Sequence, residues 1–334
     1  MLMRRAATQH SLPQGALLLL LLLAMSLCAC SVTGGKSVRP KLRPDEWVAG
    51  DGKTMPSKVW PVPAGVQERG VVITVHGLSG AKSDFWYLGE TLPPRGYVVY
   101  AYDLRGQGHD PVVEERGDVS AAKAWKRDLA TFHSLVKRRH PRLPVFWYGE
   151  SLGSLIALHT AADQIWDWYD PDGIILATPA AGLRVTVSTF QRLLLETAAK
   201  VAPKTRYSLG ELAGVDESKI QVTSQSTHGG QMAVTPHHIS QFSLRLLTTV
   251  GGMIDNSKGA AQRLRMPVLF VASPKDVLSS ADQIQGLFAA VRSRDKKLLW
   301  YTRSYHLLLH DVQREEVVND VAKWLDRQVK ERER

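Results

Sequence analysis

The stretch Gly149-Glu150-Ser151-Leu152-Gly153 constrains the fold more than any other part of the chain. It joins a short apolar run, Val145–Tyr148, to a longer run of small and apolar residues, Leu152–Ala162. The first run has the length of a buried strand and the second the length of a helix. Glycines on both sides of one serine indicate a turn too tight for side chains. The sequence therefore predicts a strand, a sharp turn and a helix, with Ser151 at the apex.

Other apolar runs of strand length are continuous rather than alternating, which is typical of parallel strands buried on both faces. They are Val71–Val75, Tyr97–Tyr102, Ile174–Ala177, Val268–Ala272 and Leu298–Tyr301. Helical patterns occur at Ser120–Arg139 and Val317–Trp324, and a hairpin is expected over Glu46–Val62, where Gly-Asp-Gly supplies the turn. The alternation of strands and helices predicts an α/β fold with a mostly parallel, doubly wound sheet.

The strand and helix rhythm is interrupted between about Gly182 and about Gln262. Apolar residues recur at helical spacing over Thr189–Val201 within this segment. A long insertion between two strands of a compact domain is usually a lid. We therefore divide the folded region into a core, residues 45–181 and 263–334, and an inserted helical cap, residues 182–262.

Ser151 can act as a nucleophile only if a base and an orienting carboxylate lie beside it. Asp276 follows the strand Val268–Ala272, and His306 follows the strand Leu298–Tyr301. The carboxyl ends of parallel strands meet at one edge of a sheet, so these three side chains are expected to converge. In that arrangement His306 takes the Ser151 proton, and Asp276 holds the imidazole and stabilises its charged form.

Alternatives to two of these residues remain open at the level of sequence. His310 lies four residues beyond His306, and Asp282 and Asp295 are weaker rivals to Asp276. Backbone N–H groups of Leu78, after the strand Val71–Val75, and of Leu152 are the candidates for an oxyanion hole. His76, two residues before Leu78, is expected to brace the turn rather than to transfer protons.

These motifs together resemble the monoacylglycerol lipase and lysophospholipase group of α/β hydrolases, from about Glu46 to about Gln328. The similarity rests on the stretches HGLSG, YDLRGQGHD, GESLG, PKDVLSS and SYHLLLHD. The resemblance implies an α/β-hydrolase fold whose inserted cap forms an apolar acyl-chain channel. It also implies the role of each site residue: Ser151 as nucleophile, Asp276 as acid, His306 as base, Leu78 and Leu152 as oxyanion donors, and Gly149 and Gly153 as elbow glycines.

The chain departs from the usual pattern of that group at several positions. Gln107 stands where a histidine is usual, and Ser154 follows the elbow where glycine or alanine is usual. Ser273 replaces the glycine that opens the acid loop, and Arg303 and Ser304 stand where glycine usually precedes the histidine. No catalytic group is lost, so these changes bear on substrate selectivity.

The first 29 residues are expected to be a signal peptide, with an uncleaved membrane anchor as the alternative. Arg4 and Arg5 precede an apolar block, Ala16–Leu27, that is too short to span a bilayer comfortably. Leu27-Cys28-Ala29-Cys30 resembles a bacterial lipobox, in which Cys30 becomes the lipid-bearing first residue. Residues 30–44, rich in Gly, Pro and basic residues, are predicted to be a flexible tether.

The net charge of +10 is consistent with binding to nucleic acid, with binding to an anionic membrane surface, or with a role in solubility alone. The sequence has no zinc-ligand spacing, no RNA-binding aromatic motif and no phosphate-binding loop. We therefore expect that the protein binds no nucleic acid, no metal and no cofactor. The N-terminal features favour a membrane surface, reached through the lipid. Localisation is expected at the cell envelope, as a membrane-anchored lipoprotein that faces the periplasm if the cell is Gram-negative.

The sequence thus leads to the hypothesis of a serine hydrolase that cleaves carboxylic esters of acyl chains, of monoacylglycerol or lysophospholipid type. Its partner is then a small acyl-ester substrate. An acyltransferase, a thioesterase or a peptidase with the same three residues is an alternative. A catalytically silent lipoprotein that binds at the envelope is another, and the oligomeric state is left open.

Overall fold

A nine-stranded sheet runs through the computed structural model, which describes residues 38–163, 170–184, 188–214 and 216–334. A separate two-stranded ribbon, β8 and β9, lies in the chain between β7 and β10. In chain order the strands are β1 (Lys41–Leu42), β2 (Glu46–Val48), β3 (Thr54–Trp60), β4 (Gly70–Val75), β5 (Tyr97–Tyr102), β6 (Val145–Glu150), β7 (Gly173–Ala177), β8 (Arg206–Tyr207), β9 (Phe242–Ser243), β10 (Val268–Ala272) and β11 (Lys296–Trp300).

The strands of the large sheet lie in the order β1-β2-β3-β5-β4-β6-β7-β10-β11. The six strands from β5 to β11 in this order are parallel, and β1, β2 and β3 form an antiparallel edge. Val75 at the end of β4 pairs with Gly149, and Glu150 at the end of β6 pairs with Ala177. The ends of β4, β6 and β7 are therefore held side by side at one edge of the sheet.

Helices cover both faces of this sheet. The α-helices are α1 (Trp86–Thr91), α2 (Ala122–Arg139), α3 (Leu152–Ala162), α4 (Thr189–Val201), α5 (Leu209–Ala213), α6 (His228–Val234), α7 (Leu244–Asp255), α8 (Ser257–Ala261), α9 (Ala281–Ala290) and α10 (Arg314–Arg332). One apolar cluster packs α2 and α3 against alternate residues of β4, such as Ile73, and a second packs α1 and α10 against Val72. This doubly wound arrangement confirms the predicted fold class.

The segment predicted as the cap, residues 182–262, carries α4 to α8 and the β8–β9 ribbon. The order of these elements in the chain places the whole insertion between β7 and β10. Hydrogen bonds join it to the core, for example from the Ser243 backbone N–H to the carbonyl of Gly117, at 2.8 Å. The insertion therefore contacts loops of the core as well as covering them.

The predicted elements agree with the observed ones except at some ends. The strand predicted over Val145–Tyr148 continues to Glu150, because the ladder with β7 extends through the elbow. The C-terminal helix runs over Arg314–Arg332, beyond the apolar pattern at Val317–Trp324, because charged residues add turns at both ends and Leu325 and Val329 extend its buried face. An apolar pattern marks the buried part of an element and misses its solvent-facing ends.

The predicted signal peptide, residues 1–29, and Cys30 lie outside the described residues. The described end of the predicted tether is paired, since Lys41 and Leu42 form β1 against Val48 and Trp47. None of the helices in the described ranges is long and apolar enough to cross a membrane.

A buried ion pair fastens the loop after β5 to helix α2. The Arg105 guanidinium donates two hydrogen bonds of 2.9 Å to the Asp128 carboxylate, which is 2% exposed. The backbone carbonyl of Arg105 also accepts a hydrogen bond of 2.8 Å from the Trp125 indole N–H. These contacts hold in place a loop that lies on the same sheet edge as the serine turn.

We expect Asp128→Asn to lower the free energy of unfolding by about 3 kcal/mol, because it removes the buried carboxylate and leaves Arg105 with only the exposed Asp51 as an anionic partner. Glu331→Gln is the matched control, since it removes an exposed ion pair with Arg327 that is worth at most about 1 kcal/mol. Urea unfolding of both variants measures the difference. Equal, small losses would show that the buried pair does not hold the loop.

Candidate active site

Ser151 lies at the apex of a sharp turn between β6 and α3, with φ of 53° and ψ of −114°. Positive φ is costly for a residue with a side chain and is maintained only where the surroundings enforce it. A Cβ on Gly149 would lie 2.4 Å from the Gly153 carbonyl oxygen, and a Cβ on Gly153 would lie 1.9 Å from that of Val75. Both elbow glycines are therefore required by contact with backbone, as the sequence motif predicted.

Asp276 and His306 meet at the ends of β10 and β11. The Nδ1 of His306 lies 2.9 Å from Oδ2 of Asp276, and both side chains are buried. The other carboxylate oxygen of Asp276 accepts backbone N–H groups of Leu278, at 2.8 Å, and Ser279, at 3.3 Å. Asp276 is thus fixed as an acceptor, and it directs Nε2 of His306 away from itself as the free ring nitrogen.

Electrostatics at this pair favour a basic imidazole. Burial opposes the charged form of His306, but the carboxylate of Asp276 and, at longer range, that of Glu150 outweigh it. The pKa of His306 is therefore raised above its usual value. Glu150 immediately precedes Ser151 in the chain.

The rival residues are engaged elsewhere. His310 lies near Asp84 rather than beside Asp276, and burial lowers its pKa. Asp295 accepts hydrogen bonds from Arg327 and Gln328, both at 2.7 Å, and Asp282 is exposed in the first turn of α9. Among the candidates named from the sequence, only His306 and Asp276 contact each other at the edge that carries Ser151.

The loop after β4 approaches the serine turn. A Cβ on Gly77 would lie 3.3 Å from the Cβ of Ser151, so only a residue without a side chain fits there easily. Leu78 follows Gly77, and Leu152 is the first residue of α3. Within the described part of the chain neither backbone N–H donates a hydrogen bond, so both remain available to an oxyanion.

His76 braces this loop. Its Nδ1 donates to the carbonyl of Gly77 at 2.8 Å, and its Nε2 accepts the backbone N–H of Leu104 at 2.9 Å. Burial lowers the pKa of His76, so the imidazole is neutral and both nitrogens are occupied. The expectation that it supports the turn agrees with these contacts.

The departures from the family pattern form hydrogen bonds that sequence reasoning missed. The Ser154 hydroxyl lies 2.7 Å from the Gly149 carbonyl and 3.0 Å from the Ala177 carbonyl, which ties the elbow to β7. The Ser273 hydroxyl donates to the carbonyl of Ser304 and so joins the acid loop to the histidine loop. The sequence signal for this contact is that each of the two loops carries a serine where glycine is usual, because two such changes together suggest a hydrogen bond between the loops.

Glu150 is a second buried carboxyl beside the pair. Burial, with a contribution from the nearby Asp84, raises its pKa to about 7, and His306 acts in the opposite direction. No group of three or more His, Cys, Asp or Glu side chains within the described ranges could hold a metal ion. The site is therefore built from a serine turn, an imidazole–carboxylate pair and free backbone donors.

Comparison with protein families decides where this arrangement belongs. The model of the Hydrolase_4 family, described as "Serine aminopeptidase, S33", matches residues 66–313. The chain belongs to this family. That span contains the serine turn, the acid loop and the histidine loop of this hydrolase.

Curated relatives of this hydrolase are similar along most of their length. Phospholipase YtpA of Bacillus subtilis is 24% identical over 264 residues, which cover 78% of this chain and 96% of the relative. Monoglyceride lipase of Homo sapiens is 25% identical over 275 residues, which cover 82% of this chain and 86% of the relative. The similarity therefore extends over more than three quarters of this chain.

A solved structure with the same fold is a soluble variant of monoglyceride lipase from Saccharomyces cerevisiae in complex with a substrate analogue. It aligns with a TM-score of 0.73 at 21% identity, over 90% of this chain and 99% of that chain. A thermostable carboxyl esterase from Bacillus coagulans also aligns with a TM-score of 0.73, at 19% identity, over 85% of this chain and 97% of that chain. These alignments confirm the α/β-hydrolase fold.

We expect Glu150→Gln to lower the pKa of His306. The substitution keeps the shape of the side chain but removes a negative charge that favours the imidazolium form. Histidine NMR titration of both proteins measures the change, and Glu331→Gln, which removes an exposed carboxyl near the end of α10, is the control. An unchanged or raised pKa of His306 would show that Glu150 does not act on it.

Proposed function

We propose that this hydrolase cleaves carboxylic esters of acyl chains, of monoacylglycerol or lysophospholipid type, through an acyl-enzyme intermediate. The observation that carries the proposal is the buried hydrogen bond of 2.9 Å between His306 and Asp276, on the sheet edge that also carries Ser151 in its strained turn. An inert serine would need neither the strain nor the oriented base.

In the proposed reaction Nε2 of His306 takes the Ser151 proton while Oγ attacks the ester carbonyl carbon. The oxygen that becomes negative is stabilised by the N–H groups of Leu78 and Leu152 and by the N-terminus of α3. His306 then gives the proton to the alcohol oxygen as the ester bond breaks. Water repeats the sequence on the acyl-enzyme, releasing the fatty acid and restoring Ser151.

The names of the relatives support the substrate class. A phospholipase and several monoglyceride lipases are similar to this chain over three quarters of its length or more. Peptide hydrolysis is the second candidate, because the family model that matches is described as a serine aminopeptidase. The two differ in the bond cleaved, so matched ester and aminoacyl-anilide substrates separate them.

We expect a fluorophosphonate probe to label the wild-type protein at Ser151 and Ser151→Ala to abolish labelling. Turnover of medium-chain monoacylglycerol should fall by at least roughly 10⁴-fold in the same variant, because the nucleophile is lost. Peptide mass spectrometry locates the probe, and released fatty acid measures turnover. Ser134→Ala, which removes a hydroxyl on helix α2 that donates to the Ala130 carbonyl, is the control that keeps labelling. Labelling that persists in Ser151→Ala would identify a different nucleophile.

We further propose that the mature chain begins at a lipid-bearing Cys30 and that the lipid holds the enzyme at the cell envelope. The support is the arrangement of Arg4, Arg5 and the apolar block before Leu27-Cys28-Ala29-Cys30. Mass spectrometry of the N-terminal peptide from membranes should show Cys30 with acyl mass, and Cys30→Ser should release the protein. An unmodified N-terminus, or an intact first segment, would contradict this.

A further inference from the structure

Ser79 adopts an unfavourable backbone conformation directly beside the proposed oxyanion donor Leu78. Its φ is 59°, and in the described part of the chain only Ser151 and Thr178 share a positive φ without being glycine. All three lie just beyond the ends of the adjacent strands β4, β6 and β7. A residue with a Cβ takes this conformation only where other contacts hold it. The loop after β4 is therefore held by something other than its own preference.

One contact comes from the core. The backbone N–H of Ser79 donates a hydrogen bond of 2.8 Å to Oε1 of Gln107. Gln107 is fully buried in the loop after β5, at the position where the family resemblance places a histidine. The side-chain amide of Gln107 thus fixes the peptide group between Leu78 and Ser79.

The remaining contacts come from the insertion. The Ser79 hydroxyl accepts the backbone N–H of Ile239 at 2.8 Å, and its oxygen lies 3.0 Å from Nδ1 of His238. Ile239 is itself buried in the main apolar cluster. Through the Ser79 side chain, the segment His237–Ile239 therefore contacts the loop that carries Leu78.

A neighbouring contact between two side chains attaches the same segment to the same loop. Nε2 of His237 lies 3.4 Å from the Asp84 carboxylate, whose other oxygen accepts the backbone N–H of Ala81 at 2.8 Å. Asp84 thus connects His237 of the insertion to Ala81, two residues beyond Ser79. The Leu78 N–H belongs to the peptide group between Gly77 and Leu78. The next peptide group along the chain contains the Ser79 N–H, so the conformation at Ser79 affects the orientation of the Leu78 N–H.

We propose that Ser79 is a positioning residue for the oxyanion hole, through which the insertion segment His237–Ile239 sets the direction of the Leu78 N–H. The inference rests on the proposed function, because it assigns the Leu78 N–H to the oxyanion. Without the hydroxyl, the segment no longer holds Ser79, and the loop relaxes from its left-handed conformation.

Ser79→Ala tests this, because it keeps the Cβ and removes only the hydroxyl. We expect kcat on a monoacylglycerol to fall by about tenfold to a hundredfold, below the roughly 10²- to 10³-fold cost of losing an oxyanion donor. KM should stay within about threefold, because the ester ground state does not use the hole. An alkylboronic acid, which forms an anionic tetrahedral adduct on the serine, should bind more weakly by the same factor as kcat.

Ser79→Gly provides a second variant should the alanine variant fail to fold. Glycine takes positive φ readily, so we expect a loss of kcat smaller than in Ser79→Ala, again matched by the loss of boronate affinity. Ser243→Ala is the control, since it removes a hydrogen bond from the insertion to Asp118, away from the oxyanion loop. It should lower the melting temperature while kcat stays near that of the wild type.

An active wild type with unchanged kcat in Ser79→Ala and Ser79→Gly overturns this inference and leaves the proposed function intact. An equal loss of kcat in Ser243→Ala also overturns it, because docking of the insertion in general would then be responsible. A wild-type protein that folds and cleaves no ester overturns the proposed function and this inference together.

Discussion

The close contact between helix α3 and strand β4 is the constraint on which the site depends. Gly153 lies so near the end of β4 that any side chain would collide with the Val75 carbonyl, and Gly149 meets the Gly153 backbone in the same way. This contact pushes Ser151 to the apex of the turn with positive φ. It also brings the end of β4, and therefore Gly77 and Leu78, against the serine. Nucleophile and proposed oxyanion donors are thus consequences of one packing contact.

The serine turn and the positions of Asp276 and His306 at strand ends could be predicted from sequence because they depend on local patterns. A buried strand, a glycine-flanked serine and a helix follow one another in the chain, and parallel strands deliver their ends to one edge. Asp276 and His306 each follow such a strand end in the sequence. The rival His310 lies near Asp84, more than two hundred residues away in the chain, and no local pattern indicates that position.

Contacts between loops could not be predicted in this way. The hydrogen bond from Ser273 to the Ser304 carbonyl joins two loops at positions where glycine is usual, and neither serine alone indicates a partner. Ser79 and Ile239 are 160 residues apart in sequence, and they meet through a side-chain oxygen and a backbone N–H. Polar pairs of this kind leave no periodic signal, since their register is set by the packed core rather than by either segment.

Buried ionisable groups around the site depend on compensating contacts. Glu150 and His76 lie out of water behind the serine turn and the loop after β4, and Asp84 is partly buried in the same loop. Each is tolerated because a neighbouring donor, acceptor or opposite charge compensates for the lost hydration. The site is thus a polar region enclosed by apolar layers, in which small changes of geometry have large electrostatic effects.

The central claim is that one edge of the sheet holds Ser151 and two backbone donors in a geometry suited to a tetrahedral oxyanion. A crystal structure of the protein after reaction with an alkyl phosphonate tests this most directly. We predict phosphorus bonded to Oγ of Ser151, with its oxygen about 2.7–3.1 Å from the backbone nitrogens of Leu78 and Leu152. Phosphorus on another residue, or an oxygen distant from both nitrogens, would contradict the account.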